Sequence, residues 1–137
     1  VLADGPTLDE NKRFGDADLK KGNISVVNFW ASWCGPCRIE HAQLMALSKR
    51  PDINLYGIDY KDTVEDARAF LDNLGDPFDL IGFDKTGRAG IDWGITGVPE
   101  TFILDGDGRV VFRHVGPLLP ADLESEFVPA LTAALRR

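Results

Sequence analysis

Residues 24–30, Ile-Ser-Val-Val-Asn-Phe-Trp, are almost entirely β-branched or aromatic, and only Ala31, Ser32 and Trp33 separate them from Cys34-Gly35-Pro36-Cys37. Such a run suits a strand buried on both faces. Pro36 stands where a first helical turn tolerates it, because its missing N–H is unpaired there anyway and its fixed φ helps start the helix. A doubly buried strand that hands its chain directly to a helix needs layers on both sides. That requirement points to an α/β architecture.

The rest of the chain agrees. A helix is expected over about 36–49, with Ile39, Ala42, Met45 and Leu47 as its apolar stripe and Pro51 beyond its end. A second buried strand follows at 53–59. A helix spans 63–75, with Thr63 as N-cap and Gly75 closing it. A short strand at 78–83 and a short helix at 86–94 come next. Residues 100–116 read as a hairpin, two apolar runs joined by Asp-Gly-Asp-Gly. The terminal helix, 120–137, offers Ala121, Leu123, Phe127, Leu131 and Leu135 for packing, with a kink expected at Pro129. Before all of these, the polar first 23 residues read as a hairpin around Thr7–Phe14 and a helical turn at Asp16–Lys21. Strands alternating with helices, then a late hairpin, give one α/β domain over residues 1–137 with a central mixed sheet flanked by helices.

Composition removes several functions. The 137 residues carry 15 basic and 22 acidic side chains, a net charge of −7, and no basic stripe that would follow a nucleic acid backbone. No apolar run approaches the ~20 residues that cross a bilayer. The chain starts at Val1, so either a signal or anchor segment was removed before it or the start was trimmed.

Cys34 and Cys37 are the only cysteines. A zinc site would need two further ligands, and only His41 and His114 could join them. A static staple closing four residues would constrain very little chain. The remaining chemistry is dithiol–disulfide exchange. At the strand–helix junction, the free N–H groups and dipole of the helix face Cys34 and stabilise its thiolate, which makes it the attacking sulfur. Cys37, one turn further in, is placed to resolve a mixed disulfide. Gly35 leaves room for a partner's backbone, and Trp33 is expected to contact and shield the pair.

These residues carry a resemblance. "VVNFWASWCGPC" resembles the thioredoxin superfamily, and "GVPETF" at 97–102 is similar to the loop that faces the cysteines in that fold. The resemblance implies that Pro99 follows a cis peptide bond and that backbone at Val98 pairs with a substrate segment like an added strand. "WCGPCRIEH", "DYKD", "GVPETF" and "FRHVGPL" are similar to the CcmG/DsbE branch of TlpA-like proteins, over roughly residues 5–130. In that branch, residues 60–96 hold an extra strand and helix.

The branch implies a periplasmic reductant of cytochrome c maturation, tethered to the inner membrane through an N-terminal anchor missing here, with residues 1–6 a flexible start. Its substrate would be apocytochrome c or a maturation protein, its electron donor a membrane thiol reductase, and its redox centre the cysteine pair, with no cofactor and no metal. The branch also has acids matching Glu40 and Glu100, either of which would tune the thiols or accept the Cys37 proton. Asn28 stands where cytosolic thioredoxins carry an acid. Two other readings remain open: a thiol oxidase or isomerase, and a redox-inert docking module with the same fold.

Overall fold

The structure, a computed structural model, describes residues 16–136. The expected hairpin around Thr7–Phe14 and the start at 1–6 lie outside it. The described chain opens with a 3-10 turn, Asp16–Lys20, and then builds five strands: β1 Ile24–Trp30, β2 Ile53–Tyr60, β3 Leu80–Asp84, β4 Glu100–Leu104 and β5 Val110–Val115. Their order in the sheet is β3-β2-β1-β4-β5. β1, β2 and β3 run parallel, whereas β4 and β5 are antiparallel to their neighbours. β1 is therefore the central strand, which is why it is apolar almost throughout.

Period-two alternation divides the sheet into two faces. Val26 and Trp30 point to one side, where they join residues of helices α1 Gly35–Leu47 and α2 Val64–Leu74 and of the chain's last helical stretch. Val27 and Phe29 point to the other, where they meet Leu19 of the 3-10 turn, Phe102 and Trp93 of helix α3 Arg88–Trp93. Phe29, Trp93 and Phe102 make three mutual edge-to-face contacts there.

The first face has one unusual tenant, the indole of Trp30, 1% exposed. It lies between Phe70 at 5.1 Å and Phe78 at 5.7 Å, stacked on the latter. Gly57 on β2 makes this possible: a Cβ there would sit 2.8 Å from both the Trp30 Nε1 and the Phe78 ring.

Most elements fall within a residue or two of expectation, and the differences have causes. α1 does not bury the stripe of Ile39, Ala42 and Met45. It buries Cys37, Glu40, His41, Leu44 and Leu47, while Ile39 is 63% exposed, Ala42 is exposed and Met45 is half-buried. Two polar residues take the inner face because they find partners there: His41 Nε2 lies 2.8 Å from the Gly75 carbonyl, and Glu40 belongs to the site described below.

β3 starts two residues late. The backbone N–H of Phe78 donates to Asp76 and that of Asp79 to the Leu55 carbonyl, so both are spent on the bend before the strand. α2 is capped as expected: Thr63 Oγ1 accepts from the Asp66 amide, and Gly75 takes the positive φ of 97° that ends the helix.

The terminal stretch is three pieces, α4 Pro120–Asp122, a π-helical turn Leu123–Phe127 and α5 Val128–Leu135. The irregularity thus falls just before Pro129, whose missing N–H fits the first turn of α5. Phe127, Leu131 and Ala134 are buried, Leu123 and Leu135 half-buried, and Ala121 is exposed, contrary to expectation.

Candidate active site

Cys34 is the N-cap of α1. Its backbone is extended (φ −92°, ψ 112°), and its Sγ accepts a hydrogen bond from the Cys37 amide at 3.1 Å. The helix thus spends an otherwise unpaired N–H on this sulfur, the arrangement that favours a thiolate when the bond is open. Here the two sulfurs are joined in a disulfide, with Cα atoms 5.3 Å apart. Cys34 is 4% and Cys37 1% exposed, but Gly35 and Pro36 between them are open to solvent.

Trp33 stands beside the pair, 59% exposed, its indole N–H donating to the Lys61 carbonyl at 3.0 Å. The Asp62 carboxylate accepts from both the backbone N–H and the hydroxyl of Ser32, at 2.8 and 2.7 Å, and fixes the turn leading into Cys34. Lys61 forms no ion pair with an acid of the site; its ammonium lies over the Tyr60 ring.

The 96–99 segment forms the opposite side. The Val98–Pro99 bond is cis. Val98 is half-buried and packs against both halves of the core, and the Pro99 carbonyl accepts from the Gly116 amide. Glu100 anchors this segment. One carboxylate oxygen takes the backbone N–H and hydroxyl of Thr96 and the N–H of Gly97, at 2.7, 3.0 and 3.3 Å. The other takes the Arg113 guanidinium of neighbouring β5, at 2.7 and 2.9 Å. Both oxygens are occupied, and the side chain is fully buried.

Glu40 has a different setting. It is also fully buried, one turn beyond Cys37 on the inner side of α1. Its oxygens accept from Asn28 Nδ2 at 2.9 Å and from the Leu118 amide at 3.0 Å, with no cation among these partners. Burial pushes its pKa up to about 7, against the lowering effect of those two hydrogen bonds. Asn28 also donates to Thr101 Oγ1, directly across the β1–β4 ladder, and its carbonyl oxygen is left without a partner. The sequence alone marks Asn28 only as a missing acid. Together with Thr101 it is a polar pair at facing register positions of two buried strands, and that alternation was the available signal. The motif "FRHVGPL" contains Arg113 and Leu118, but nothing in the sequence pairs them with Glu100 and Glu40.

The Redoxin family matches residues 7–129. The chain belongs to the Redoxin family. It is 47% identical over 129 residues to the thiol:disulfide interchange protein DsbE homolog of Paracoccus denitrificans, covering 94% of this chain and 71% of that one. It is 47% identical over 118 residues to the thiol:disulfide interchange protein HelX of Rhodobacter capsulatus, covering 86% and 66%. Against a solved thiol:disulfide interchange protein of the thioredoxin family from Chlorobium tepidum, the TM-score is 0.66 at 30% identity, over 89% of this chain and 86% of that one. The chain therefore spans about two thirds of the length of the curated relatives. As a Redoxin-family domain with a thioredoxin fold and a paired Cys-x-x-Cys, it is a thiol-disulfide oxidoreductase.

Proposed function

We propose that the protein is a reductant, with Cys34 as nucleophile, Cys37 as resolving thiol and Glu40 as proton acceptor. The observation that carries this reading is the buried Glu40 carboxyl, one turn from Cys37 and poised near neutrality rather than locked to a cation. In the reduced protein, the Cys34 thiolate attacks a partner disulfide, one partner sulfur leaves as thiolate, and a mixed disulfide forms. Cys37 then gives its proton to Glu40 and attacks Cys34. The second partner sulfur leaves and is protonated, two electrons have passed to the partner, and Cys34–Cys37 is the disulfide seen here.

When Glu40 holds the proton, rotation of the Asn28 amide would turn its carbonyl oxygen towards the acid as an acceptor, in exchange for the N–H bonds it now makes. A carboxylate near the pair also disfavours thiolate and so makes the dithiol the better electron donor. Glu100, whose oxygens are all spent on the 96–97 turn and Arg113, acts by shaping the ledge at Val98 and Pro99. Trp33, Gly35 and Pro36 supply the exposed contact surface for the partner, with the half-buried Val98 beside them.

The resemblance in "RIEH" and "GVPETF" supports apocytochrome c, or a maturation protein that relays electrons to it, as the substrate. The same resemblance supports a periplasmic setting, an N-terminal membrane tether preceding this chain, and recharging by a membrane thiol reductase. None of the helices among the described residues is long and apolar enough to cross a membrane. Cys37→Ala stalls the exchange at the mixed disulfide. Capture of apocytochrome c or a maturation protein on this variant supports the reading. Capture of assorted secreted proteins with several cysteines replaces it with an oxidase or isomerase.

Glu40→Gln has two expected results. Resolution of the mixed disulfide slows by roughly 10-fold or more, as loss of a positioned base does, with little change in the first attack on a small disulfide. Stability shifts with pH in a defined direction. Glu40 has a folded pKa above its unfolded one, so its stabilising contribution is complete below about pH 4.5 and is lost as pH rises towards 7. Glutamine escapes that loss. The variant should match the wild type at pH 4.5 and exceed it by about 3 kcal/mol at pH 8, measured by urea unfolding of the oxidised protein. Equal stability at both pH values would remove Glu40 as the proton site.

A further inference from the structure

A third carboxyl, besides Glu40 and Glu100, is fully buried near the same end of the sheet, and the exchange chemistry above leaves it idle. Asp59, at the C-terminal end of β2, is fully buried, and neither of its oxygens receives a hydrogen bond from any N–H or hydroxyl of the described residues. Its register partners are Trp30 on β1 and Phe83 on β3. The Trp30 N–H does not serve it, since that atom is itself unpartnered beside Gly57. The polar group that does reach Asp59 is the side chain of Asp62. Asp62 is surrounded by donors: the Ser32 amide and hydroxyl, and the Thr63 amide at 2.9 Å. A carboxylate so supplied stays ionised, whereas a buried carboxylate with no donor and an anion for a neighbour does not.

The geometry points to Asp59 as a proton-bearing positioning residue: its carboxylic acid donates to Asp62, and Asp62 so held fixes the Ser32–Cys34 turn that presents the attacking sulfur. Burial, with the Asp62 hydrogen bond and charge adding to it, raises the Asp59 pKa to about 10. At Asp62, burial acts upward too, but the hydrogen bonds from Asp59, Ser32 and Thr63 outweigh it and hold the group below its usual value.

The other charged groups of the surrounding elements are engaged elsewhere or exposed, Lys85 beyond β3 among the exposed ones. On α1, Arg38 reaches the Ser32 carbonyl and the Phe70 ring, Glu40 is held by Asn28 and Leu118, and His41 by Gly75. Lys61 lies over Tyr60, and Asp84 of β3 accepts the Ala89 and Gly90 amides. On α2, Glu65, Asp66 and Arg68 are exposed. Asp59 therefore keeps its proton through the neutral range, and the turn before Cys34 is insensitive to pH there.

The positioning role rests on Cys34 being the nucleophile, but the proton does not, so the test has two arms. In the oxidised wild type, the Asp59 carboxyl carbon, followed by NMR, is expected to show no titration step between about pH 3 and 6. The Ser32 amide signal should stay fixed over the same range and up to pH 8. A step for Asp59 in the ordinary carboxylate range overturns the assignment whether or not the protein exchanges disulfides.

In the second arm, Asp59→Asn keeps a donor for Asp62 and Asp59→Leu removes it. Asparagine should leave the Ser32 amide in place and the rate of Cys34 attack on a small disulfide within about 2-fold of wild type from pH 6 to 8. Leucine should move the Ser32 amide upfield and slow attack by about 10-fold, the scale of a misplaced reacting group. Asparagine and leucine variants with equal rates overturn the positioning role. Should the leucine variant fail to fold, a slowed or pH-dependent asparagine variant overturns it equally.

Discussion

Cys34→Ser is expected to abolish disulfide reduction. A serine hydroxyl is not ionised near neutrality by a helix N-terminus, and thiolate is the species that attacks sulfur, so turnover of a model disulfide should fall by at least about 10³-fold. The structure makes this loss specific. Serine fits the cap that Cys34 occupies and still accepts from the residue-37 amide, so the fold survives while the chemistry stops. Coupled reduction of a model disulfide, with circular dichroism as the folding control, measures both. Appreciable turnover by the serine variant would show that the pair is structural and that electrons pass elsewhere.

The largest stability effect is expected at Trp30→Ala. The indole fills a slot between Phe70 and Phe78 over the bare backbone of Gly57, and none of these walls is free to collapse inward, since Gly57 belongs to the central sheet and Phe70 to a capped helix. Loss of a large buried aromatic costs about 3–5 kcal/mol, which for a domain of this size lowers Tm by roughly 10–15 °C. Scanning calorimetry of the oxidised protein reads it directly. Trp33→Ala is the contrast: that ring is 59% exposed, and its removal should cost under about 1 kcal/mol while weakening partner contact. Similar losses from the two tryptophans would contradict the packing described.

Local chemistry explains what was readable beforehand. A buried strand, a proline-started helix and two cysteines at its tip are adjacent in the chain, so residues 24–37 alone place β1, the start of α1 and the redox pair. Thr63 and Gly75 marked the ends of α2 for the same reason. The Glu40 network was not readable in that way. Its partners come from β1 and from an amide 78 residues away, and a backbone N–H leaves no trace in a side-chain pattern.

Hydropathy also misassigned the inner face of α1. A buried Glu40 and His41 are tolerable only where tertiary partners wait for them, and tertiary partners are invisible to helical periodicity. Asp59 gives no signal of its burial either, because a single acid at the end of an apolar strand looks like the start of a loop.

Thr96, Gly97 and Glu100 hold one another, Arg113 crosses from the next strand to balance the charge, and no sulfur atom takes part in any of these bonds. Opening the link between the two cysteines therefore requires none of these bonds to break. On the function proposed above, a visiting protein would meet the same handhold on a molecule that has electrons to give and on one already spent. On that function, telling the two apart would fall to the few atoms around Trp33 and Cys34.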